Sequence, residues 1–170
     1  LYVSSDLRHD GRAVLYIVCD RLEAEGNQDT GYLWLSLDPL KSRPKAVLPL
    51  TANCHNLQVS WGNEDSIFHL ILRQNSVRTY RNDSQGPELI RKIEISVPHD
   101  YAISNDKNQL AFDDWGQKAR ILNLVTGVIS DCELPASNRY RVRSFFSNGD
   151  ILVTEDAEDY RSISLHRCPN

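Results

Sequence analysis

The stretch Tyr101-Ala102-Ile103-Ser104-Asn105-Asp106-Lys107-Asn108-Gln109-Leu110-Ala111-Phe112, followed by Ala119-Arg120-Ile121-Leu122-Asn123-Leu124 and Thr126-Gly127, decides how the rest of the chain is read. Two short apolar runs flank the polar cluster Asn105–Gln109, whose Asn and Asp side chains suit a tight turn because they hydrogen-bond nearby backbone. A third run, Ala119–Leu124, alternates apolar and polar residues, and Thr126-Gly127 makes a second turn. This is the grammar of short antiparallel strands joined by turns.

The same grammar recurs in both directions along the chain. Alternating runs that end in an apolar or aromatic anchor occur at Tyr32–Asp38, Ser76–Arg81, Ala119–Leu124 and Arg161–His166. With Leu37, Tyr80, Leu124 and Leu165 taken as equivalent, successive anchors lie 43, 44 and 41 residues apart. That equivalence expects the four side chains at matching depths in successive sheets. Ahead of each anchor a polar turn precedes an apolar run: Asp10-Gly11 before Arg12–Cys19, Asn63–Ser66 before Ile67–Leu72, Asn105–Gln109 before Leu110–Phe112, and Asn148–Asp150 before Ile151–Thr154. Ahead of each turn stands another short strand, at Tyr2–Ser5, Leu57–Trp61, Tyr101–Ser104 and Val142–Phe146. Behind the first three anchors comes a fourth, at Ala46–Leu48, Leu89–Val97 and Val128–Leu134.

A four-stranded antiparallel sheet has two faces to cover, and copies stacked around an axis cover each other. A period of forty-odd residues fits such a unit. The fold expected is therefore all-β, with blades at about 1–50, 55–98, 99–135 and 140–170 in one region. Amphipathic helical patterning is nearly absent. Its best stretch, Arg21–Glu25, sits inside the polar insertion Asp20–Thr30, which reads as a surface loop.

In the order of its strands, its turn and its Thr126-Gly127, the third unit resembles a blade of the WD-repeat β-propellers, and the fourth follows with Ser147-Asn148-Gly149-Asp150. No unit has the Gly-His dipeptide or the closing Trp-Asp of that family, so its Asp–His–Ser–Trp hydrogen-bond set is carried over to no position here. The resemblance implies a degenerate WD-repeat-like propeller. The fourth unit stops after its third strand, giving about 3.75 blades against the usual four to eight. Two readings stay open: a fragment completed by further chain or by a second polypeptide, and a four-bladed ring in which Leu1–Val3 supplies the outermost strand. An open arc would expose one face of its first and last blades and would be prone to associate.

Composition narrows the function classes. Hydrophobic residues at 41% and charged residues at 25% suit a folded globular chain. A formal charge of −4 gives no global reason to expect nucleic acid or an anionic membrane as partner. The longest apolar runs fall far short of the roughly 18 residues that span a bilayer. Cys19, Cys54, Cys132 and Cys168 form no CxxC pair and read as buried reduced thiols. The rival is disulfide bonding in a secreted protein, for which the sequon Asn82-Asp83-Ser84 is slight support.

No catalytic residue, metal ligand set or cofactor site is expected. His9, His55, His69, His99 and His166 have no partner at ligand spacing. No nucleophile elbow or glycine-rich phosphate loop occurs. Asp113-Asp114, and Glu155-Asp156 with Glu158-Asp159, read as solvated charge in turns; the second group lacks the alternation and central Gly of a calcium loop. Binding is the better expectation. Arg139, Tyr140 and Arg141, with Arg143, lead into the inner strand of the fourth unit, and Arg with Tyr is enriched at interface hot spots. His99 precedes an inner strand, and Trp115 in a turn would anchor a partner peptide if exposed, while Trp34 and Trp61 suit packing between blades.

Taken together these features expect a protein-interaction scaffold, cytoplasmic or nuclear, that presents loops to partner subunits of a multiprotein assembly. Two alternatives are kept: the substrate-recognition propeller of an F-box-type ubiquitin-ligase adaptor, and a secreted ligand-binding or enzymatic propeller.

Overall fold

A computed structural model describes residues 2–20, 30–37, 43–51, 56–73, 76–95, 100–113, 118–134, 139–146, 149–156 and 161–168. The described residues form fifteen strands in four antiparallel sheets. Blade 1 contains β1 (Tyr2–Leu7), β2 (Ala13–Asp20), β3 (Thr30–Leu37) and β4 (Lys45–Thr51). Blade 2 contains β5 (Leu57–Trp61), β6 (Ile67–Leu72), β7 (Ser76–Asp83) and β8 (Gly86–Glu94). Blade 3 contains β9 (Tyr101–Ile103), β10 (Gln109–Asp113), β11 (Ala119–Asn123) and β12 (Ile129–Cys132). Blade 4 contains β13 (Arg139–Phe145), β14 (Asp150–Asp156) and β15 (Arg161–Arg167). In every sheet each strand pairs with the next in sequence, so each blade is a simple meander.

The turn between the first two strands is built alike in all four blades. The backbone N–H of Arg8 donates to Ala13 O, Gly62 to Ile67 O, Ser104 to Gln109 O and Phe146 to Asp150 O. In three of these turns one residue takes positive φ: Gly11 at 70°, Lys107 at 61° and Gly149 at 86°. Three residues ahead of the turn's end, Asp10 and Asp106 each accept a hydrogen bond from the backbone two residues on, at Arg12 (2.9 Å) and Asn108 (3.2 Å). These are the local side-chain bonds that make Asp a turn residue.

The chain divides into two compact units, Leu1–Glu94 and Ile95–Asn170, each of two blades. In the first, Ala13, Leu15, Ile17 and Cys19 alternate onto one face of β2. With Leu33 and Leu50 they pack on Leu57, Trp61, Phe68, Leu70 and Tyr80 of blade 2. In the second, Ala111, Ala119 and Ile121 pack on Tyr140, Val142, Phe145, Ile151 and Val153 of blade 4. Period-2 alternation selects the buried face, and each fully buried aliphatic side chain adds about 1.5–3 kcal/mol of hydrophobic free energy.

The chosen anchors are not equivalent. Opposite the residue that closes the first turn stand Leu37, Arg81, Asn123 and Arg167, 44, 42 and 44 residues apart. Tyr80, Leu124 and Leu165 fall one or two residues to either side. Tyr80 and Leu124 are buried, while Leu165 is 57% exposed. The period holds, but a shift of one residue turns a strand's side chain to the other face.

The cysteines also correct the expectation of reduced thiols. Cys132, at the end of β12, is disulfide-bonded to Cys168, just after β15, so the bridge ties blade 3 to blade 4. Cys19 is disulfide-bonded as well. Their wide spacing in sequence concealed this, because strands of successive blades become neighbours only on stacking.

Candidate functional site

In the first unit the inner strands of two blades meet through side chains. β5 is the edge strand of its sheet, so every second N–H faces away from β6. Two of these are met by blade 1: Val59 N–H donates to Ser4 Oγ (3.4 Å) and Trp61 N–H to Asp6 Oδ2 (2.9 Å). The Ser60 hydroxyl donates to the same carboxylate oxygen at 2.9 Å. Beyond Asp6, the Arg8 guanidinium lies 5.7 Å from the Trp61 ring centre and pairs with Asp10 at 2.6 Å and Asp65 at 3.7 Å. Hydrogen bonds from Arg8, then from the Arg12 backbone, hold the exposed Asp10 carboxyl down at about 2. His9 stands 3.8 Å from Asp65. Sequence reasoning missed this group, since Asp6, Arg8 and Trp61 converge only when the blades stack.

The Arg-Tyr segment is divided by its strand. Tyr140 and Val142 point into the core of the second unit, and the Tyr140 ring is only 2% exposed, edge-on to His166. Tyr140 is a packing residue. Arg143 is the extra residue of a β-bulge between Val142 and Ser144. A bulge re-aims a side chain, and Arg143 stands 3.0 Å from Asp100, which Arg141 also approaches at 3.6 Å. Arg143 also donates to Thr154 Oγ1 at 3.0 Å. The backbone of Arg139 pairs with Asp156, and its side chain is not described. His99 and Trp115 lie outside the described residues, as do Asp114, Glu158, Asp159 and residues 21–29 of the insertion.

The opposite face of blade 1 carries an aromatic row. Tyr16 and Trp34 face each other across β2 and β3 and stack with centroids 6.4 Å apart. Tyr32 meets Trp34 edge-on at 6.2 Å and is 49% exposed. Trp34 therefore belongs to this face, whereas Trp61 is buried between blades 1 and 2.

The remaining candidates are structural. His69 is buried, with Nδ1 3.0 Å from Thr79 Oγ1 on the paired strand. His166 sits 2.8 Å from Ser164 Oγ. Asp113 is not solvated turn charge: β10 runs on to include it, and its side chain is buried on the same face as Ala111. Partial burial disfavours the charged form of Asp106, but hydrogen bonds from Ser104 and Asn108 outweigh it and lower its pKa. Asp150, also buried, accepts from Arg167 at 2.9 Å. Among the described residues no three His, Cys, Asp or Glu side chains are grouped as a metal site would require.

Four meandering sheets with stacked inner strands match solved propellers. The chain aligns with a puromycin-hydrolyzing peptidase of Mycobacterium tuberculosis at TM-score 0.63 and 11% identity, over 96% of this chain and 27% of that one. It aligns with the β-propeller domain of Cps50 (Swd1) from Myceliophteria thermophila at TM-score 0.58 and 9% identity, over 98% and 53%. With TolB from Acinetobacter baumannii the values are 0.53 and 11%, over 92% and 41%. The fold is that of β-propeller blades. At these identities the likeness is one of fold, and the chain spans between about a quarter and a half of those chains' lengths. No family model and no curated protein matches the sequence.

Proposed function

We propose that this propeller chain binds other proteins, has no catalytic role of its own, and works in an oxidising compartment. The observation that carries the binding role is the Tyr16–Trp34–Tyr32 row. Its sheet is already filled on the other face by blade 2, and Tyr and Trp give large apolar contact area at little cost in side-chain entropy. The Swd1 propeller among the similar structures agrees with a binding module. Arg141 and Arg143 around Asp100 would then contribute rim charge, which governs partner choice more than affinity.

Disulfides persist in oxidising surroundings and are rare in the cytosol, so Cys132–Cys168 favours a secreted or periplasmic setting over the cytoplasmic or nuclear one and over the F-box adaptor. It also supports a second reading, a secreted ligand-binding propeller. Unfolded and unreduced protein from its native source is expected to show no free thiol; titration of all four cysteines as thiols would end the compartment assignment.

For the binding role, sedimentation velocity of the 170-residue chain is the direct test, with a second copy as the nearest available protein surface. Concentration-dependent association is expected by about 100 μM, weakened at least about tenfold by Tyr32→Glu. A chain that stays monomeric there, or associates equally well with the glutamate in place, would remove the aromatic row from the argument.

A further inference from the structure

The two blades of the first unit leave a cavity of about 150 Å³ between them. Five leucines line it: Leu48 and Leu50 from β4, Leu57 from β5, and Leu70 and Leu72 from β6. Tyr80 closes one side, its ring held by stacking on Phe68 at 5.2 Å. Among these leucines comes one cation, Arg78 of β7, directly opposite Leu70 in the sheet. The lining holds no carboxylate. Lys92, beside Arg78 on β8, is engaged by Glu94 on its own strand. Arg78 Nε is shielded from solvent and has no hydrogen-bond partner.

That combination is costly for the free protein. A buried donor of a charged group without an acceptor forfeits its hydration and gains nothing in return. A methionine at the same position would cover the same apolar surface without the charge. The arrangement becomes favourable once an anion with an apolar body enters, because a guanidinium presents parallel donors that match the two oxygens of a carboxylate. Size sets the rest. A space of about 150 Å³ has room for a benzene-sized body. A phosphate, more highly charged and hydrated, would find one cation and a wall of leucine.

We propose that the cavity between blades 1 and 2 is a binding site for a small apolar monocarboxylate, with Arg78 as its charge partner and the leucines as its hydrocarbon pocket. The site is separate from the aromatic row, so its test is independent of the protein-binding reading.

The test uses the whole chain, benzoate, and the neutral isostere benzamide, followed by methyl NMR of the leucines. Benzoate should shift the Leu50, Leu57 and Leu70 methyl signals saturably and bind at least about tenfold more tightly than benzamide. Arg78→Gln should abolish that preference while leaving benzamide binding unchanged. Arg78→Met should raise the Tm of the ligand-free protein, since it removes the uncompensated donor. Equal binding of the two probes by the wild-type chain would overturn the proposal, as would the absence of saturation by tens of millimolar benzoate or shifts confined to other leucines. So would a lower Tm for Arg78→Met, which would make the guanidinium a structural group. The comparison of probes on the unaltered protein stands even if a variant fails to fold.

Discussion

Lys107 takes φ of 61° in the turn where Gly11 and Gly149 serve the first and fourth blades. A residue with a Cβ pays about 1–2 kcal/mol for that conformation, and glycine gives back about 0.5–1 kcal/mol in lost backbone entropy. Lys107→Gly is therefore expected to stabilise the fold by about 0.5–1 kcal/mol in denaturant titration. Lys107→Ala, which keeps the Cβ and loses the long side chain, should bring no such gain. A gain shared by both variants would trace the effect to the lysine side chain and not to the backbone. The turn was legible in the residues Asn105–Gln109, yet its strained position was not, because lysine carries no signal for positive φ.

At the scale of the strand, the edge of β5 is finished by side chains from another blade. Asp6 Oδ2 accepts both the Trp61 N–H and the Ser60 hydroxyl, and those two donors have poor access to water. Asp6→Ala should cost about 2 kcal/mol, near the middle of the range for stranding buried donors. Asp6→Asn retains one acceptor oxygen and should cost clearly less, so chemical denaturation of the two variants separates hydrogen-bond satisfaction from charge. Equal losses would show that the negative charge is what β5 requires. Strand existence followed directly from alternation in β3, β7, β11 and β15, whereas the exact register did not: the supposed anchor Leu165 lies on the exposed face of β15.

At the scale of the molecule, the Cys132–Cys168 bridge closes a span of 36 residues across blades 3 and 4. Loop-closure entropy alone assigns such a cross-link about 4 kcal/mol of stabilisation. Cys132→Ala combined with Cys168→Ala leaves the Cys19 bond intact and should lower the stability of the Ile95–Asn170 unit by an amount of that order, read from denaturant unfolding without reductant. A loss below about 1 kcal/mol would mean that the core of Tyr140, Val142, Ile151 and Val153 holds the blades together without the bridge.

Sequence by itself determined the period, the four-strand unit and the turns, because these rest on contacts between residues close in the chain and on alternation that any strand must show. It also exposed the lack of a recognisable catalytic motif. Tertiary structure decided what lies between blades: that Tyr140 is core, that Asp6 serves the edge of β5, that the cysteines are bonded, and that Arg78 faces a pocket without an acceptor. Each of these joins residues far apart in the chain, and stacking of one sheet on the next is the only step that brings them within reach.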